Sequence, residues 1–154
     1  MGSLTDTELT IRLLLAALLG AVLGIEREWR HKDAGLRTNI LIALGAALFT
    51  MMSIELTAGQ GDPSRVAAQI VTGIGFLGGG AIIRTHGNVQ GLTTAAAIWV
   101  NAAIGVAVGG GQFHLAVIAT AVTLGALLLL TPIEKYLQKP LGSPAGKDVK
   151  HEQK

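Results

Sequence analysis

The chain has 154 residues, half of them hydrophobic and only 14% charged, with 21 Gly and no Cys. So few charges, against roughly 25% in an ordinary soluble domain, leave too little polar surface for a water-facing fold and point to a membrane protein. The lack of Cys excludes a disulfide framework, a thiol nucleophile and a thiolate metal site, while the formal net charge of +2 favours no class of partner.

In chain order, the opening MGSLTDTE is acidic rather than basic. The apolar segment after it runs into GIEREWR and not into a small-residue cleavage site, so an uncleaved helix is expected. Five apolar segments follow one another at 9–25, 40–56, 66–83, 92–108 and 113–130. Each has about 17–18 residues, near the lower limit for crossing hydrocarbon as a helix. The links are EREWRHKDAGLRTN, TAGQGDPSR, RTHGNVQG and GGGQ. Asp62 followed by Pro63 is an N-cap and N1 pair that starts the third helix, and Thr93 and Thr94 are expected to cap the fourth. The run Gly109–Gly111 reads as the turn into the fifth. After Thr131 and Pro132 comes a tail rich in Lys, Gly and Pro, for which disorder is expected.

If the links alternate sides, ten of the twelve Lys and Arg fall on one side, leaving Arg12 and Arg65 on the other. The positive-inside rule makes the crowded side cytoplasmic. The expected fold is therefore an all-α integral membrane protein, a compact bundle of five transmembrane helices. Its N-terminus lies outside and its C-terminus in the cytoplasm. Residues 1–132 form the membrane domain and 133–154 the tail.

The third segment contains GIGFLG, which fits the dinucleotide fingerprint G-x-G-x-x-G. It lies inside a spanning segment, and no acidic residue occurs between Asp62 and Glu134 to bind a ribose. Glycine in membrane helices instead lets backbones approach closely. Gly20 and Gly24, Gly75 and Gly79, and Gly105 and Gly109 are three such pairs. Gln69, Thr72, Gly73, Phe76, Gly79 and Gly80 fall near one face of the third helix, and Thr94, Ala97, Ile98, Asn101 and Gly105 line the fourth. These stripes are expected to face each other or a second subunit. A sharper reading breaks the third helix at Gly78–Gly80, as at transporter sites.

Several stretches together resemble one family: GAVLGIEREWR, AGLRTNILIALGAALFT, DPSRVAAQIVTGIGFLGGGAII, GLTTAAAIWVNAAIG and GQF. In order and spacing they are similar to the MgtC/SapB family of bacterial inner-membrane proteins. The resemblance implies four or five spanning helices in the cytoplasmic membrane. It also implies a link to growth in low magnesium, to acid or phagosomal stress, and to virulence. The best-studied members look like regulators of other membrane machinery, including the F-type ATP synthase. Virulence-type members carry a soluble C-terminal domain resembling small-ligand regulatory modules, and a short form without it is expected here. The family often has Arg where this chain has Gln90, and some members have Asn in place of Thr93.

Glu26, Arg27 and Glu28 end the first segment, and ionisable groups at membrane depth are functional candidates by default. They are expected to meet Arg37, Thr38 and Asn39 across the first link, forming a polar cluster at the cytoplasmic mouth. Glu55, Asp62 and Arg65 mark the outer mouth, with Asp62 as a cap and Arg65 as partner to either acid. Mg²⁺ needs only one or two carboxylates, so a magnesium ligand site there is a weaker expectation, and no resident cofactor is expected. Gln69, Thr72 and Asn101 are the mid-membrane polar groups, with Thr93, Thr94, Gly73, Gly75, Gly79 and Gly105 as packing or pathway positions. Trp99 is too deep for an interface anchor and is expected to pack. The four His do not cluster.

The leading expectation is a non-enzymatic membrane regulator working through helix–helix contacts. It would be a homo-oligomer with a membrane-protein partner and no nucleic acid. The alternative is a magnesium or other cation transporter with a polar path between the third and fourth helices.

Overall fold

The computed structural model describes residues 4–57, 61–62, 64–85 and 88–137. Five helices account for most of them: α1 (Asp6–Trp29), α2 (Leu36–Thr57), α3 (Ser64–Gly80), α4 (Leu92–Gly109) and α5 (Phe113–Leu137). A small antiparallel hairpin, β1 (Ile83–Thr85) and β2 (Asn88–Gln90), joins α3 to α4, with Ile83 opposite Gln90.

Helix α1 starts three residues before the apolar segment because TDTE is a capping box. The Thr5 hydroxyl accepts the Glu8 N–H at 3.3 Å, and the Glu8 carboxylate accepts the Thr5 N–H at 2.9 Å. The turn from α1 into α2 places His31 and Ala34 at φ 52° and 57°, a costly region for residues with a Cβ. Two side chains hold it. Glu28 Oε2 accepts the Leu36 N–H at 3.1 Å, which caps α2, and Asn39 Nδ2 donates to the carbonyls of Ala34 and Gly35.

Helix α2 is held between α1 and α4, and glycine puts it there. A Cβ on Gly20 would lie 2.7 Å from the Asn39 carbonyl oxygen, and one on Gly24 would lie 2.7 Å from Leu36 Cα. On the other side, a Cβ on Gly109 would lie 2.6 Å from the Ala47 carbonyl, and one on Gly105 would collide with that of Ala43. Two glycine pairs thus bring the α1 and α4 backbones directly onto α2. Between them lie Leu23, Ala43, Ala47, Ile104 and Val108, all buried, with Ala116 of α5 closing the cluster. Ile70 and Ile74 of α3 pack on a second cluster around Ile42, Ala46, Ile98 and Ala102.

The outer surface is the reverse of a soluble protein's. Leu14, Leu18, Leu41, Phe49, Ile118 and Val122 are all exposed. Trp99 is also half exposed, so it faces away from the protomer's core, contrary to the packing expected of it. Four helices, α1, α2, α4 and α5, are long and apolar enough to cross a membrane. Helix α3, with 17 residues, is shorter.

Three boundaries differ from the sequence reading. Helix α3 stops at Gly80, and Ile83 passes into β1. The Gly78–Gly80 run therefore ends a continuous helix and does not break one. Gly91, at φ 88°, closes the hairpin where a Cβ would run into the Ala81 carbonyl. The N-cap of α4 is this Gly91, with no side-chain cap, so Thr93 and Thr94 do not cap it. Helix α5 runs through Pro132 to Leu137, where a stop near residue 130 was expected. Pro132 has no N–H for the Leu128 carbonyl, and Arg30 Nη2 lies 3.5 Å from that oxygen. The remainder of the tail, from 138 onward, lies outside the described residues.

Candidate functional site

The polar interior is a layer shared by α1, α2 and α4. Glu26, Arg27, Asn39, Thr94 and Asn101 are each at most 5% exposed. Arg27 Nη2 donates to Thr94 Oγ1 at 2.8 Å. Glu26 Oε1 pairs with Arg30 Nε at 3.0 Å, one turn along α1, and its Oε2 lies 4.0 Å from Arg27 Nη1. Deeper in, Asn101 Nδ2 donates to both the carbonyl and Oδ1 of Asn39, at 2.7 and 3.0 Å. The layer is only partly satisfied: apart from these ion pairs, both Glu26 oxygens, Arg27 Nε and Asn101 Oδ1 are buried without a hydrogen-bond partner among the described residues, which marks it as a functional candidate.

The expected cytoplasmic cluster therefore divides. Glu26, Arg27 and Asn39 turn inward but do not meet one another across the link: Glu26 pairs within α1, Arg27 meets Thr94 of α4, and Asn39 meets Asn101 of α4. Arg37 and Thr38 are exposed. Glu28 is exposed too, and its task is the cap on α2. The polar stripe of α4 does not face α3. Thr94, Asn101 and Gly105 point to α1 and α2, and Thr93 is exposed. The α3 groups go elsewhere: Gln69, Thr72, Gly73, Gly75 and Gly79 are all exposed. Nothing lies within 4 Å of a Cβ built on Gly73, Gly75 or Gly79, whereas one on Gly78 meets Ala95 of α4. Gln69 is exposed on α3, while Asn101 is fully enclosed against α2.

At the opposite end, Asp62 Oδ1 accepts the Ser64 N–H at 2.9 Å, the geometry of an N-cap for α3. Hydrogen bonds from Ser64 hold its carboxyl below the ordinary aspartate range. Glu55 accepts the N–H of Leu4, and neither acid forms an ion pair with Arg65. Among the described residues, no group of three or more His, Asp or Glu gathers to hold a metal ion.

The role of Arg12 was not singled out. Arg12 Nη1 donates to the Gly109 carbonyl at 2.6 Å, and its guanidinium lies 5.9 Å from the Phe113 ring centroid. It thereby closes the C-terminal end of α4, where unpaired carbonyls attract a cation. The signal was available: one of only two Arg on the sparsely charged side, with a glycine turn at the same end. Arg30 joins α1 to α5 through the carbonyl that Pro132 leaves free.

The chain matches the MgtC family over residues 13–136. It belongs to that family. The MgtC protein of Salmonella paratyphi A is 50% identical over 138 residues, 89% of this chain and 59% of that protein. Brucella abortus MgtC is 50% identical over 123 residues, 80% of this chain and 51% of its own length. An uncharacterized protein of Synechocystis is 48% identical over 130 residues, 84% and 55% of the two chains. This MgtC-family chain thus spans somewhat over half the length of the relatives it matches. No solved structure matches it. The family match takes in all of α2, α3 and α4 and most of α1 and α5, so the buried polar layer and the glycine contacts on α2 lie within the MgtC-family region. Family membership and the apolar helices together make the chain a multi-pass membrane protein.

Proposed function

We propose that this MgtC-family chain is a non-enzymatic protein of the bacterial inner membrane, acting in magnesium homeostasis and stress adaptation by helix–helix contact with other membrane machinery. The F-type ATP synthase is the candidate partner, and the chain itself assembles as a homo-oligomer. It crosses five times, with the N-terminus outside. The observation that carries this reading is the contrast between two sets of glycines. Those of α1 and α4 are closed against α2, while Gly75 and Gly79 on α3 face outward with nothing within 4 Å of an added Cβ. With Ala68 and Thr72 they form a small-residue stripe at helical spacing on the exposed side of α3. Small residues let a second transmembrane helix approach to backbone contact.

The test is the double variant Gly75→Leu/Gly79→Leu in the full chain. The expected result is a folded protein that loses self-association and co-purification with its membrane partner. Unchanged assembly would end the contact reading. Magnesium flux in proteoliposomes holding the wild-type protein would move the function to cation transport. Topology is read separately by cysteine labelling on the Cys-free background. Gly61→Cys and Gln112→Cys should react from outside, and Lys32→Cys and Val89→Cys should not. If Gly61 and Val89 label from the same side, α3 does not cross.

A further inference from the structure

Helices α2 and α3 leave a separation between them. The separation is an open cleft of roughly 700 Å³. Its walls are almost wholly apolar, with Leu41 and Phe49 from α2 and Ile70 and Leu77 from α3. Gly45 and Gly73 both line it, one from each helix, and an added Cβ on either would meet nothing within 4 Å. An apolar groove on a membrane-facing surface does not stay empty.

Its length says what fits. Along α2 the lining runs from Thr38 to Phe49, which at 1.5 Å per residue is about 16 Å. That is close to one leaflet, half of a hydrocarbon core about 30 Å thick. Beyond it lies a second cleft, still mainly apolar, to which Gln69, Asp62 and Arg65 contribute polar groups.

Charge says which lipid. The apolar cleft opens at the end where Thr38 and Leu77 line it. Arg37 stands at this mouth, one turn before Leu41 on the same face of α2. Arg84 follows α3 at the same end, in β1. Both are exposed, and among the described residues neither has an ion-pair or hydrogen-bond partner. Two unpaired guanidiniums at headgroup level suit a phosphate, which Arg binds bidentately.

We propose that the α2–α3 cleft binds an anionic phospholipid. One acyl chain lies along Gly45 and Gly73, and the phosphate is held by Arg37 and Arg84. The proposal rests on α3 lying in the membrane, which the cysteine labelling above tests on its own.

The experiment is native mass spectrometry of the full chain. The protein is purified in detergent and exposed to equal amounts of phosphatidylglycerol and phosphatidylcholine. The wild type should retain one phosphatidylglycerol in preference to phosphatidylcholine, by about fivefold for each participating Arg. Arg37→Gln/Arg84→Gln changes only exposed side chains and should erase the preference while still holding lipid. Gly73→Leu fills open space without touching the core, and should lose both lipids. Equal retention of the two lipids by wild type, or a preference that survives the Arg substitutions, overturns the proposal. Efficient disulfide crosslinking of Gly73→Cys between copies would also overturn it, by showing a second protomer in the cleft.

Discussion

Asn101 on α4 donates one amide nitrogen to two oxygens of Asn39 on α2, at 2.7 and 3.0 Å, where both residues are fully enclosed. Asn39 in turn donates to the carbonyls of the α1–α2 turn. One amide pair therefore fastens α4 to α2 and α2 to the link that precedes it. It also sits where Gly20 brings α1 against the Asn39 carbonyl.

The pair should behave as a unit. Asn39→Ala and Asn101→Ala each lower thermal stability in detergent. The double variant loses less than the sum, with a coupling of about 0.6 kcal/mol and at most roughly 1.7 kcal/mol. Additive losses would mean that the two amides act independently.

The glycines should separate into two classes. Gly105→Leu drives a side chain into the Ala43 carbonyl and should cost about 3 kcal/mol, the upper range for overpacking. Gly75→Leu meets open space and should leave the stability of the isolated protomer within about 0.5 kcal/mol. Thermal unfolding in detergent micelles tells the two apart. Equal losses would place a neighbour against Gly75 within the protomer.

The charged layer should be asymmetric. Glu26→Leu leaves Arg27 and Arg30 on one side of α1 without their shared anion, and is expected to cost about 3–5 kcal/mol. Thr94→Val removes only the acceptor from Arg27 and should cost about 1–3 kcal/mol. The reverse order in a denaturation series would show that Arg27 is held chiefly through Thr94.

The start of α3 should loosen in acid. Asp62 has its folded-state pKa lowered by hydrogen bonds from Ser64. Its contribution is therefore fully present above the ordinary aspartate pKa, about 3.9, and is lost as pH falls through the lower folded value. A carboxyl NMR titration should place Asp62 below ordinary aspartate. Asp62→Asn keeps a capping oxygen but should remove this acid dependence. A pKa at or above the ordinary value would mean that the cap is not formed.

Much of the architecture was legible because hydropathy is a property of the chain. The five apolar runs became the five helices, since a membrane-facing helix must be apolar around most of its surface. Boundaries failed where hydropathy is silent. The Thr5–Glu8 capping box extends α1 through polar residues, and α5 passes Pro132 because a proline costs one hydrogen bond and Arg30 faces the carbonyl that loses it.

The candidate site was legible by residue type and not by partner. Glu26, Arg27, Asn39, Thr94 and Asn101 stood out as polar groups in apolar surroundings. That Arg27 meets Thr94, and that Gln69 is exposed while Asn101 is enclosed, depends on helix rotation, which spacing along one helix cannot fix. Membrane embedding and family membership were written in the sequence itself, in its composition and ordered motifs. Which glycine pair becomes a contact was decided only by the fold. Gly75 and Gly79 have the same spacing as Gly105 and Gly109, yet only the second pair finds a backbone opposite it. Small residues permit close approach, but a contact needs a neighbour, and the neighbour is set by how α2 packs between α1 and α4.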